Sequence, residues 1–108
     1  MALEIHSFVI DTLRVLAPVM RRIAEQDADL ARQMRRAASS VALNLNEGVG
    51  NDAGNRRLRF RTALGSAKET RACLEVADAL GYFEADPALI DRLDRIAATL
   101  FKLSHART

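Results

Sequence analysis

The densest chemistry in this sequence is guanidinium. Of the 16 basic residues, 14 are arginine. Nine of the basic residues fall between Arg32 and Arg71, against only three acids, so this stretch carries +6 and the remainder −4, giving the net charge of +2. The planar guanidinium fork suits carboxylate and phosphate oxygens taken two at a time. An arginine-rich middle between acidic ends therefore implies an anionic partner or ion pairing between subunits. The arginines fall into two groups, Arg32, Arg35 and Arg36, and then Arg56, Arg57, Arg59 and Arg61 behind a glycine-rich segment. Free backbone amides at a helix start beside the second group can hold a phosphate; equally, these arginines can solvate the helix start or pair with the acidic ends of neighbours. Positive charge there opposes the helix dipole, so Asp52, Glu47 or a ligand has to compensate. Arg35 and Arg36 are separated by about 100° on a helix. One is expected to face solvent or a ligand channel, and the other to pair with Glu47 or Glu69.

Other chemistries find less material. A bundle-type di-iron site needs Glu-x-x-His on two helices, and no Glu here precedes a His by three residues. His6 and His105 lie at the chain ends and read as solvated terminal residues. No metal or cofactor is expected. Cys73 has no histidine at helical spacing and reads as a small buried hydrophobe. A lone cysteine also suits a reducing, cytoplasmic setting. Ser39, Ser40 and Ser66 lack an evident base and read as packing residues that bond the preceding turn. Asn44 and Glu47 read as polar groups bonding local backbone and arginines. Glu47 and Glu69 are the candidate carboxylates for acid–base work, and no enzymatic activity is expected. Gly48-x-Gly50-x-x-Ala53 matches a dinucleotide fingerprint in form, but it follows a helix where that chemistry needs a strand. With aromatics at 5% and no tryptophan, there is little surface for base stacking.

The elements that position these groups are helical throughout. Ile5, Val9, Leu13, Leu16, Met20 and Ile23 recur at steps of three and four, the stripe of an amphipathic helix. Ser7 would cap it if it begins near residue 8. Pro18 interrupts it and predicts a kink near Arg14–Pro18. Asp27 and Asp29 are cap candidates for a second helix with the stripe Leu30, Met34, Ala37, Val41, Leu45. Leu43 falls on the opposite side, which suggests a subunit contact. Gly48 to Gly54 reads as a loop, with Gly48 as a left-handed helix stop.

A third helix over about residues 55–80 carries two apolar faces. Phe60, Ala63, Leu64, Ala67, Leu74 and Ala77 form one. Leu58, Thr62, Gly65, Ala72, Cys73, Val76 and Leu80 form the other. Two apolar faces mean a central helix, or one core and one oligomer contact. Gly65 costs about 1 kcal/mol against Ala in mid-helix, which a close helix crossing would offset. Gly81 ends this helix, and Asp86-Pro87 starts the next. Its seam is Leu89, Leu93, Ile96, Leu100 and Leu103, widened by Ile90, Ala97 and Phe101, with Asp91 and Arg95 as an i,i+4 pair.

The run Gln33 to Gly48, with Arg35, Arg36, Asn44, Glu47 and Gly48 as its motif positions, resembles the bacterial four helix bundle protein family. Members of that family include proteins encoded within intervening sequences of 23S rRNA genes. Phe60, then Ala63-Leu64-Gly65-Ser66-Ala67-x-Glu69, then Leu80-Gly81-Tyr82 resemble its third helix and exit. The likeness spans about residues 5–103. It implies an up-down bundle assembling as a homopentamer around a channel. It also implies similarity to the accessory variability protein of diversity-generating retroelements, which binds nucleic acid and a reverse transcriptase through a basic surface. Pro18 and a short, polar first connection depart from the family pattern.

The reading is a single all-α domain over residues 1–108, an up-down four-helix bundle with the first helix kinked at Pro18. Apolar runs of four or five residues fall far short of the ~20 that span a bilayer, so no membrane is expected. The expected function is non-enzymatic binding of RNA or DNA phosphates by Arg32, Arg35, Arg36, Arg56, Arg57, Arg59 and Arg61, in a cytoplasmic homo-oligomer. The alternative is a protein-interaction scaffold whose arginines pair across subunits or with an acidic partner.

Overall fold

Four helices form, each for reasons legible in its ends. A computed structural model describes residues 2–50 and 52–106. The helices are α1 (Ala2–Ala24), α2 (Ala28–Gly50), α3 (Ala53–Ala79) and α4 (Pro87–Ser104). α1 packs on α2 and α4, and α3 packs on the same two helices, which closes an up-down bundle 44 × 23 × 19 Å in extent. α3, about 40 Å at 1.5 Å per residue, runs nearly its full length.

Asp27 caps α2 by accepting the Leu30 amide at 2.9 Å, while Asp29 instead pairs with Arg32. Asp52 caps α3 through the Asn55 amide. Asp86 caps α4 ahead of Pro87 at its first turn. α3 ends in a Schellman turn: the Tyr82 amide donates to the Ala77 carbonyl and that of Gly81 to Asp78. Gly81 takes φ 79°, the left-handed conformation this turn requires.

Two expectations about boundaries change, while the proline expected to kink the first helix does not end it. α1 begins at Ala2, so Ser7 is inside it and caps nothing. α1 also runs through Pro18. Arg14 and Pro18 are both exposed, so the rung that proline breaks lies on the water side, where solvent satisfies the freed carbonyl. Finally, the Gly48–Gly54 segment is mostly helix: Gly48 and Gly50 belong to α2 and Gly54 to α3. Asn51, assigned to that loop, lies outside the described residues. Gly48 is there for space and not for a left-handed stop. A Cβ on it would sit 2.6 Å from Cε1 of the buried Phe60 ring.

The predicted stripes are the core. Ile5, Val9, Leu16 and Ile23 of α1, Met34, Ala37, Val41 and Leu45 of α2, and Leu89, Leu93, Ile96 and Leu100 of α4 are buried. On α3 the first apolar face is buried throughout. The core has two halves. Leu45, Phe60 and Leu100 lie in one, and Met34, Leu74 and Leu89 in the other. Between them, buried Thr12 and Thr70 each return a hydroxyl hydrogen bond to their own helix. The void they help line is only ≈ 10 Å³ and nearly all apolar, too small and too poor in partners for a water.

Candidate nucleic-acid interface

α2 and α3 meet along a polar seam. Ser66 donates to Ser40 across the helices at 2.7 Å. Asn44 donates to Ser40 Oγ and to the Ser40 carbonyl, and accepts from Arg59 Nη1 at 3.2 Å. The same Arg59 nitrogen lies 2.9 Å from Glu47 Oε2. Asn44 and Glu47 thus do what local bonding predicts, and the serines join two helices where only packing or back-bonding was expected. Burying this seam tolerates no bulk at its end, where Gly48 meets Phe60.

Outside the seam an open groove of ≈ 470 Å³ is lined by Arg35, Arg36, Ser39, Ser40, Leu43 and Asn44. Both arginines therefore line one groove, contrary to the expectation that they part. Neither has a carboxylate partner among the described residues, because Glu47 is taken by Arg59. Their separation of about 100° around α2 is spanned by the width of the groove.

The second arginine group wraps around the start of α3. Arg59 turns to α2, and Arg56 and Arg57 are half-buried. Arg61 is exposed, and neither it nor Arg57 pairs with a carboxylate among the described residues. Two amides of the phosphate cradle that the sequence allows at this helix start are already taken from within. Asp52 takes the Asn55 amide by its side chain and the Arg56 amide by its carbonyl. Asp52 and Glu47 supply the anionic compensation for the dipole. Arg32 is paired with Asp29 at 2.8 Å. Of the seven arginines, four keep open charge: Arg35, Arg36, Arg57 and Arg61.

Glu69 stands about 15 Å along α3 from Arg59, the partner of Glu47, so the two carboxylates do not converge. Cys73 is buried, and burial followed by the Glu69 charge pushes its thiol above the ordinary range. His105 stacks on the Phe101 ring at 4.2 Å. Phe101 itself stays exposed and does not widen the α4 seam.

The second apolar face of α3 is exposed among the described residues. Leu58 (55%), Val76 (44%) and Leu80 (58%) are exposed in line with Thr62, Gly65 and Ala72, and only Cys73 of that set turns inward. Gly65 has nothing within 4 Å of where a Cβ would stand. The close crossing expected to offset its cost is absent from the single chain. Leu43 is 66% exposed on α2.

Sequence reading missed a third cationic group on the other side of the bundle. Arg92 and Arg95 of α4 both stand over the Phe8 ring of α1. Arg95 was expected to pair with Asp91, and the aromatic face takes it instead. The signal in the sequence was the i,i+3 arginine pair, but nothing there shows that α4 lies beside Phe8.

The chain is thus an up-down four-helix bundle with a polar seam between its second and third helices and a basic groove on the second. The chain belongs to the 23S rRNA-intervening sequence protein family, whose model matches residues 6–102. It is similar in fold to a protein of unknown function from the S23 ribosomal protein family of Bacteroides thetaiotaomicron, whose crystal structure is known at 1.70 Å resolution. The TM-score is 0.86 at 14% identity, over 94% of this chain and 99% of that one. No curated protein matches the chain. Among the described residues no helix is long and apolar enough to cross a membrane.

Proposed function

We propose that this protein is a non-enzymatic, self-associating bundle that binds the phosphate backbone of RNA or DNA. The observation that carries this reading is the open charge of Arg35, Arg36, Arg57 and Arg61 on α2 and α3, with no carboxylate against any of them among the described residues. Helix-borne guanidinium without aromatic platforms neutralises phosphates and reads no bases. Association supports the same reading. The exposed stripe of α3 runs about 33 Å from Leu58 to Leu80, and copies joined along it would multiply the basic surface. In this reading the assembly is the pentamer that the family resemblance implies, and a reverse transcriptase is the kind of protein partner to try first.

Binding is tested by titrating RNA and single- and double-stranded DNA at several salt concentrations. Log affinity should fall linearly with log salt. Arg35→Glu with Arg36→Glu, and separately Arg57→Glu with Arg61→Glu, should each remove most of the affinity while the solution mass stays unchanged. Affinity that ignores salt refutes the reading.

A second reading has one observation in its favour. Glu69 lies in the middle of the exposed α3 stripe and makes no ion pair among the described residues. An arginine of another copy would meet it there. In that scaffold the same charge reversals change the mass of the assembly, which separates the two readings.

A further inference from the structure

Among the described residues, Phe101 is the aromatic side chain that the fold leaves exposed, at 54%. Phe60 is buried, and Phe8, Tyr82 and Phe83 are half-buried, with arginines over the two phenylalanine rings. His105 backs Phe101, with ring centroids 4.2 Å apart. The imidazole is itself anchored. Its Nδ1 donates to the Phe101 carbonyl at 2.8 Å and lies 3.1 Å from Oγ of the buried Ser104. A flat ring open to water and backed by a second, fixed ring is a ready surface for a third.

The contacts that tie α3 to α4 fix what stands beside it. Arg71 meets Asp94, and one turn along, Glu75 and Ile90 line one groove. Both pairs give the same antiparallel register. Phe101 stands two turns beyond Asp94 on the same side of α4, and so comes level with Leu64 of α3. Arg61 and Lys68 lie one turn to either side of that level. Seven residues apart, they share one edge of α3, about 10 Å from each other, between the buried Leu64 and the exposed Gly65. Both are exposed, and neither pairs with a carboxylate among the described residues. Asp94 is taken by Arg71, and Glu69 is turned about 100° around α3 from Lys68.

We propose that Phe101 is a stacking platform for an unpaired base, with Arg61 and Lys68 as partners of the phosphates on its two sides. The protein then prefers single-stranded RNA or DNA to duplex, because a duplex spends its base faces on its own stack. An apolar protein surface would cover the ring and leave both cations unanswered, whereas a nucleotide strand answers all three groups. Stacking adds strand class without reading sequence, since every base has a flat π-face. The proposal rests on the backbone binding put forward above and names the form of nucleic acid that it takes.

The test uses the full chain and three probes at one salt concentration: single-stranded oligothymidylate, an abasic strand of the same length, and the oligothymidylate annealed to its complement. The free oligothymidylate should bind tightest. Phe101→Ala, at an exposed position, should weaken it about five- to a hundredfold and leave the abasic strand unchanged. Phe101→Tyr should keep the parent affinity. Arg61→Gln with Lys68→Gln should weaken the free and abasic strands alike. The chain has no tryptophan, so Phe101→Trp supplies a single fluorophore that oligothymidylate should quench and the abasic strand should not. Equal affinity for the free and abasic strands, or a Phe101→Ala protein that binds oligothymidylate as well as the parent, overturns the platform and leaves backbone binding standing. Failure of every probe to bind removes both. A Phe101→Ala protein of altered solution mass makes the ring a contact between copies, which also overturns the proposal.

Discussion

α3 and α4 are neighbours with opposite designs. α4 buries Leu89, Leu93, Ile96 and Leu100 and turns charged residues to solvent on its other side. α3 buries Phe60, Leu64 and Leu74 just as fully, yet it also turns Leu58, Val76 and Leu80 outward. The two helices are tied by Arg71 of α3, whose Nε lies 2.8 Å from Asp94 Oδ1 of α4. The N–H points off the carboxylate axis, leaving an ion pair without an aligned hydrogen bond. The difference teaches that the fold of one chain satisfies α4 except at Phe101, which stacks with His105, and leaves α3 half satisfied. This outer stripe of α3 is the face that the proposed association would cover.

Breaking the two faces of α3 separately gives the largest contrast. Leu74→Ala, inside the core, should cost about 2–5 kcal/mol in denaturant unfolding. Val76→Ser, two residues away on the outer stripe, should change the stability of an isolated chain by no more than about 0.5 kcal/mol. Under the proposed self-association, the outer change should instead reduce the mass in solution.

The two helical glycines sharpen the comparison. Gly48→Val drives a branched side chain into the Phe60 ring and should cost about 1–3 kcal/mol. Gly65→Ala meets nothing in its own chain and should stabilise the monomer by up to about 1 kcal/mol through helix propensity. If another copy crosses at Gly65, the same methyl weakens association. A thermal melt read beside the solution mass separates the two effects.

The smallest effect belongs to Cys73, the one member of the outer set that turns inward. Its thiol ionises later in the folded chain than in the unfolded one. Unfolding therefore releases protons at alkaline pH, and stability should decline as pH rises through the ordinary thiol range. Alkylation of the native protein should also be slower than that of a free thiol, with normal rates restored by denaturant. Equal rates in both states would contradict its burial.

The helices and their stripes were legible because periodicity and capping are local. Asp52, Asp86-Pro87 and Gly81 mark their boundaries through bonds spanning only a few residues. The two faces of α3 were legible for the same reason. A helix displays its residues at fixed angles whatever surrounds it. Gly48 was misread because its reason is not local: a ring twelve residues away on the next helix occupies the space a Cβ needs.

The arginines divide along the same line. Composition alone established that guanidinium is concentrated between residues 32 and 71. Only the packed structure decided which of those charges stay open. Pairing depends on which helix lies beside which, and so Arg59 finds Glu47 while Arg35 and Arg36 do not. Arg92 and Arg95 meet Phe8 across more than eighty residues of chain, at a distance set by the closure of the bundle. Helical periodicity and charge density are properties of the chain. The neutralisation of a particular charge is a property of its neighbours, and tertiary packing supplies those.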